Sequence, residues 1–411
     1  MRPLRHLCVM WPRLVAYHHA RLAVLQDHLT HRSARLTALE TVRRDALPAW
    51  DSPRRTVPYP TETLFPGPAY DSISAAAMHR AVTEALDRLD PDAVAITSYS
   101  TPDARAALAW CRRRRRVAVM MFDSRREDAP RSVLREWPKR QLVRLFDAAL
   151  VGGRPHVGYA VELGVPRSHV FTPVDVVDNA YFAAEADAAR SAGGSPPGLS
   201  VEAPYFLFVG RLAEVKNLPT LLEAYALYRR HATSPWPLVL VGDGAERDAL
   251  AAAAGPGVVF AGARALGELP QFYGRAGAFV LPSWKDTWGL VVNEAMAAGL
   301  PVLVSTGAGC APDLVEPGGN GWTFAPGDAD GLAQILATVA DQPAAARAAL
   351  GARSREMVGN FGLDDFARGL WDAVQAGRSR SGRGLSLGGG FVLHMLRAVS
   401  RHPTSFHAIP D

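Results

Sequence analysis

The chain has 411 residues, 48% hydrophobic and 21% charged. That balance excludes wholesale disorder, and at about 150 residues per domain it points to two or three domains. Its 45 basic and 40 acidic side chains leave +5, and every basic residue except Lys139, Lys216 and Lys285 is arginine, the usage of a GC-rich genome. Overall charge therefore selects no partner until it is divided among domains.

The opening residues MRPLRHLCVMWPRLV place basic before apolar side chains, but Trp11-Pro12-Arg13 interrupts them and no small-residue cleavage site follows. They read as a first buried strand over 5–10. Further strands are expected at 93–97, 117–122 and 147–151, with amphipathic helices over 74–89 and 102–114 between them. The second half continues with strands at 205–209, 237–241, 257–260, 278–281 and 301–304, and helices over 217–231, 244–253 and 289–299. This alternation implies right-handed βαβ crossovers and parallel sheets covered by helices on both faces. Residues 186–202, with adjacent prolines, paired glycines and no apolar period, read as a linker between domains at 1–185 and 203–360. Residues 377–411 read as a basic flexible tail, low in complexity over 377–390, with a short amphipathic helix over 391–401.

Three scattered cysteines without CxxC or Cys/His spacing argue against a disulfide scaffold or zinc site and fit a reducing compartment. No apolar run reaches the roughly 18 residues of a membrane span. A cytoplasmic protein is expected.

The most informative stretch is 278–305, AFVLPSWKDTWGLVVNEAMAAGLPVLVS. A strand ends at Leu281, a polar turn follows, and Gly289 opens a helix at the carboxyl edge of a parallel sheet, where ligands of α/β folds bind. The positive end of that helix suits a phosphate. Asp286 before the helix and Glu294 within it are carboxylates able to hold sugar and ribose hydroxyls. Helix capping and a solvated face are the structural alternatives. In 205–217, YFLFVGRLAEVKN, Gly210 admits close backbone approach, and Arg211 and Lys216 supply two cations suited to a diphosphate. Two solvated loop cations are the alternative there.

The ordered segments VGRLAEVKN, VLVGDGAERDAL, FAGARALGELPQFYGRAGAFVLPS, WKDTWGLVVNEAMAAGLPVLVS and GCAPDLVEPGGNGWTFAPGDADGLAQIL resemble the donor half of family 4 glycosyltransferases over about 203–340. The resemblance implies a glycosyltransferase-B architecture, two Rossmann-like βαβ domains facing a central cleft, with 361–376 crossing back to the first domain. It implies transfer from a UDP- or GDP-sugar to a hydroxyl acceptor with retention at the anomeric carbon and no required metal. Arg211 and Lys216 correspond to the residues that grip the donor diphosphate. Asp286 and Glu294 correspond to a pair of glutamates, the earlier contacting the transferred sugar and the later the ribose; the aspartate is one methylene shorter. Backbone at Gly289 and Leu290 would face the phosphates, and Gly210, Gly242 and Asp243 complete the donor loops. Asp328-Ala329-Asp330, a D-x-D after Gly327, reads as a helix cap.

The amino half resembles the family less. Its first strand–helix loop, Trp11–His19, lacks the paired glycines often found there. Acceptor-side candidates are Arg13 and His18 in that loop, Ser98 and Tyr99, Asp123 and Ser124, and Gly152, Gly153 and His156, all after strand ends. The Arg112–Arg116 run reads as a solvated helix end.

Two other function classes stay open. Gly242-Asp243-Gly244 followed by Arg247 is a weak match to a dinucleotide-binding turn, hence an oxidoreductase. Asp286 and the glycine-free loop suit a non-catalytic nucleotide-sugar-binding or scaffolding protein. Divided by region, 1–185 carries 27 basic and 20 acidic side chains, and 203–376 carries 12 and 17. The basic excess on the first half and the tail predicts an anionic acceptor, glycan, lipid-linked or small, or peripheral contact with an acidic inner membrane face. No nucleic-acid partner is expected.

Overall fold

The computed structural model describes residues 3–43, 57–128, 133–201 and 204–381, with residues 133–135 described for backbone alone. The chain divides into two compact units, one running to Val176 and resuming at Leu363, the other Val177–Gly362.

The first unit begins with β1 (His6–Trp11), α1 (Ala16–Thr30), β2 (Arg35–Val42), β3 (Thr61–Phe65) and α2 (Ala75–Leu89). It continues through β4 (Ala93–Thr97), α3 (Pro102–Arg114), β5 (Val117–Phe122), α4 (Val133–Val143), β6 (Ala148–Val151), α5 (Arg154–Leu163) and β7 (Val170–Phe171). The strands form one parallel sheet in the order β3-β2-β1-β4-β5-β6-β7. Its central strands are buried throughout, as strands covered on both faces must be.

The second unit comprises α6 (Asn179–Ala192), β8 (Phe206–Val209), α7 (Leu218–His231), β9 (Leu238–Val241), α8 (Arg247–Ala253), β10 (Val258–Gly262) and α9 (Leu269–Tyr273). It ends with β11 (Ala278–Leu281), α10 (Leu290–Ala297), β12 (Val302–Ser305), α11 (Ala311–Leu314), β13 (Gly321–Phe324), α12 (Ala329–Ala340) and α13 (Ala344–Val358). Its parallel sheet has the order β10-β9-β8-β11-β12-β13. The last described helix, α14 (Leu363–Arg378), belongs to the first unit and packs on α1, β5, β6 and β7. Phe366, Leu370, Ala373 and Val374 form its buried stripe.

Two Rossmann-like α/β units are therefore present, each with the strand order that reverses at its first strand. Four strands were not expected: β2, β3, β7 and β13. β2 hides its period because Thr37, Glu40 and Thr41 sit among its apolar residues. Each is satisfied by a partner distant in sequence: Thr37 by His6 Nε2 at 2.8 Å, Thr41 by Asp103 at 2.6 Å, and Glu40 by Thr63 and the Leu14 N–H. β7 has two residues, too short for a pattern, and β13 reads GWTF, whose glycine and threonine break an apolar run.

Two readings need correction. The boundary at 185 and the linker from 186 cut through α6, whose second half is residues 186–192; the units part instead at Val176/Val177. The arginine run is a solvated helix end at Arg113, Arg114 and Arg115, as expected, but not at Arg112. Arg112 is buried and forms a two-point pair with buried Asp147, Nη1 to Oδ1 at 3.0 Å and Nη2 to Oδ2, while Arg114 reaches Asp87 and Arg116 reaches Asp90 and Asp92. The expected helix at 391–401 lies outside the described residues.

Candidate active site

In the second unit β8 and β11 are neighbours, with β9 and β10 continuing on one side and β12 and β13 on the other. Their carboxyl ends define the switch point of the sheet, where the adjoining loops diverge and leave room for a ligand. The loops after these two strands carry Arg211, Lys216, Asp286 and Gly289.

The loop after β8 ends in a 3-10 turn, Glu214–Lys216, and Asn217 follows at φ 53°, a left-handed conformation that asparagine tolerates better than most residues. From there Asn217 Nδ2 donates to the Pro282 carbonyl at 3.1 Å, and its Oδ1 accepts from Thr220 Oγ1 at 2.8 Å. Trp284 N–H donates to the Val215 carbonyl at 2.9 Å. These bonds stitch the two loops together and set Lys216 Nζ 2.7 Å from Asp286 Oδ2. Asp286 is wholly buried and Lys216 is 6% exposed, so the pair is held out of bulk solvent. The backbone of Asp286 is held on both sides, its N–H by the Gly307 carbonyl at 3.1 Å and its carbonyl by the Gly309 N–H at 2.9 Å. Asp286 Oδ1 and the neighbouring Ser283 Oγ are buried without a hydrogen-bond partner.

The glycines near this pair shape it. A Cβ on Gly242, at φ 142°, would overlap the Gly210 carbonyl oxygen, and one on Gly244 would overlap the Leu212 carbonyl oxygen. The approach is sealed by Gly210 N–H to the Val241 carbonyl at 3.0 Å and Leu212 N–H to the Asp243 carbonyl at 2.9 Å. Asp243 itself is exposed and accepts from the Gly244 N–H at 2.8 Å. Gly242-Asp243-Gly244 thus braces the loop that bears Arg211, which accounts for its glycines without a dinucleotide. Gly289, at φ 102°, turns the chain into α10, so that Leu290 begins the helix at the sheet's carboxyl edge.

Glu294 is wholly buried within α10 and accepts a hydrogen bond from the Tyr273 hydroxyl of α9 at 2.7 Å. Sequence reasoning missed Tyr273 and Ser283. The partner of a buried carboxylate 21 residues away leaves no local signal. Asn217 was legible only as the residue after Lys216. Asp328 caps α12, accepting from the Gly331 N–H at 2.9 Å. Among the described residues no group of three or more His, Cys, Asp or Glu is placed to hold a metal ion.

The acceptor-side candidates all follow strands of the first unit. His18 is in the first turn of α1, with Nδ1 accepting from the Val15 N–H at 3.2 Å and its ring stacked 4.6 Å from Trp11. Burial, with Arg21 and His19 close by, holds its pKa well below the ordinary value, so the imidazole is neutral and carries its proton on Nε2. His156 repeats this cap on α5, with Nδ1 accepting from the Gly153 N–H at 3.1 Å, and it is wholly buried. Ser98, at φ 71°, follows β4 and places its Oγ 3.2 Å from Ser100 Oγ. Arg13 after β1 and Ser124 after β5 are half-buried.

The family profile described as Glycosyl transferases group 1 matches residues 196–357. The chain is 33% identical over 200 residues to the sulfoquinovosyl transferase SQD2 of Arabidopsis thaliana, covering 48% of this chain and 35% of that protein. It is 30% identical over 271 residues to the D-inositol 3-phosphate glycosyltransferase of Xylanimonas cellulosilytica, covering 62% of this chain and 63% of that one. The matches thus span between about a third and two thirds of these relatives. Among solved structures, Anabaena Alr3699/HepE in complex with UDP and glucose aligns with a TM-score of 0.66 at 17% identity over 90% of this chain and 99% of that chain. Such a likeness shows the fold, glycosyltransferase-B. The likeness to the group 1 glycosyltransferases thus lies in residues 196–357.

Proposed function

We propose that this protein is a retaining glycosyltransferase that moves a sugar from a UDP- or GDP-sugar to a hydroxyl acceptor. The observation that carries the reading is the Lys216–Asp286 pair at the switch point of the second sheet, within the family-matching segment. In this reading Arg211, Lys216 and the amino terminus of α10 take the donor diphosphate. They stabilise the charge that grows on it as the anomeric C–O bond breaks, and no metal is required. Asp286 offers its unpartnered Oδ1 to a hydroxyl of the transferred sugar. Glu294, oriented by Tyr273, takes the ribose. The anomeric carbon exchanges its phosphate oxygen for the acceptor oxygen, and the acceptor's proton leaves with the diphosphate or to solvent. Arg13, His18, Ser98 and Ser124 are the acceptor-side groups, and the basic excess of the first 185 residues favours an anionic acceptor. Among the described residues no helix is long and apolar enough to cross a membrane.

The test is incubation of the purified protein with UDP- and GDP-sugars, alone and with acceptor panels, reading release of nucleoside diphosphate and the anomeric configuration of the product. Release with a retained product supports the proposal. Clear donor binding without hydrolysis or transfer in any panel would favour a binding protein instead.

A further inference from the structure

We infer that the Lys216–Asp286 pair makes this site prefer the sugar-bearing nucleotide over the bare nucleoside diphosphate left after transfer; the inference rests on the diphosphate grip proposed above. Asp286 is wholly buried, and the bond from Lys216 to Oδ2 at 2.7 Å is the only one its carboxylate accepts among the described residues. Its Oδ1 is buried and unpartnered. Asp286 has no exposure to water, and its backbone is tied on both sides to the loop after β12.

A diphosphate that draws on Lys216 therefore competes with Asp286 for one ammonium. Removing or diluting the partner of a buried charge costs more than the pair gains by forming. A nucleotide-sugar offsets that loss, because a sugar hydroxyl donates to the carboxylate that the lysine has partly left. A bare nucleoside diphosphate offers no such donor. Its terminal phosphate oxygens only accept, and they bring additional negative charge towards a buried carboxylate. The same pair that helps to hold the donor thus penalises the product. Transfer of the sugar would turn a satisfied Asp286 into an unsatisfied one and speed release of the nucleotide.

The experiment is calorimetric titration of the full chain with UDP, UDP-glucose, GDP and GDP-mannose, for the wild type, Asp286→Asn and Asp286→Glu. For whichever base is bound, the wild type is expected to hold the sugar nucleotide at least about tenfold more tightly than the bare diphosphate. Asp286→Asn removes the charge at nearly constant shape and leaves Lys216 to the phosphate. It is expected to tighten the bare diphosphate in absolute terms and bring the two affinities within about threefold. Asp286→Glu keeps the charge and should keep the preference. The inference is overturned if the wild type binds both ligands equally, or if Asp286→Asn weakens both in proportion. Were Asp286→Asn to fail to fold, the wild-type and Asp286→Glu ratios decide. If the wild type bound none of the four nucleotides, the function proposed above would fall and this inference with it. Binding without the preference overturns this inference alone.

Discussion

Lys216 Nζ and Asp286 Oδ2 lie 2.7 Å apart although 70 residues separate them in the chain. They meet because β8 and β11 are adjacent in the sheet and the loops after them are bonded to each other through Asn217 and Trp284. Local backbone chemistry at one asparagine thus sets the position of a charged pair.

Asn217 tests that link. Asn217→Gly keeps the left-handed backbone and removes the bridge to Pro282; Asn217→Ala loses both and carries about 1–2 kcal/mol of additional backbone cost. Donor affinity is expected to fall in both, and stability mainly in the alanine variant. Titration with a nucleotide-sugar beside thermal unfolding reads the two effects separately. Wild-type affinity in both variants would show that the bridge does not place Lys216.

Gly242→Ala drives a methyl into the Gly210 carbonyl at a φ of 142°. Overpacking against backbone is expected to cost about 1–3 kcal/mol or more and to displace the loop bearing Arg211. Gly255→Ala, which meets nothing within 4 Å, is the matched control and should leave the melting temperature nearly unchanged. Equal melting temperatures for the two variants would contradict the close approach.

In the first unit, Asp147→Ala leaves Arg112 as a buried charge without its carboxylate and is expected to lose about 3–5 kcal/mol in urea unfolding. The paired replacement Arg112→Met with Asp147→Leu should recover much of that loss, since an apolar pair of similar volume carries no desolvation penalty. A loss as large in the double variant as in the single would refute this reading of the pair.

His18 supplies a pH prediction. Its folded pKa lies well below 6.5 because of burial, with Arg21, His19 and Arg13 facing it. Below pH 6.5 the unfolded chain takes up a proton that the folded chain refuses, so stability is complete above that pH and declines beneath it. The decline is at most about 1.4 kcal/mol per pH unit for this group. His18→Gln keeps an acceptor for the Val15 N–H and removes the titration. Its stability loss between pH 7 and 5.5 should be smaller than that of the wild type, and an unchanged loss would place the acid sensitivity elsewhere.

These cases show what was legible beforehand. Strands that are continuous apolar runs, such as Val117–Phe122, could be read directly, and so could the helix after Gly289, because its glycine and apolar face are local signals. Lys216 and Asp286 were legible as types in motifs, but their contact depends on strand order, which no window of sequence contains. β2 was missed because its polar residues look like those of a loop until His6, Thr63 and Asp103 are brought against them. Arg112 was misread for the same reason: an arginine run looks solvated unless Asp147 is known to lie beside it.

The central claim is that Arg211 and Lys216 hold the donor diphosphate. Its most direct test is the affinity of Arg211→Ala and Lys216→Ala for the nucleotide-sugar that the wild type binds, measured by titration with folding checked by thermal unfolding. Each variant should remain folded and lose affinity by about tenfold or more, the scale of a charge-assisted contact. Folded variants that bind the donor as tightly as the wild type would contradict the account.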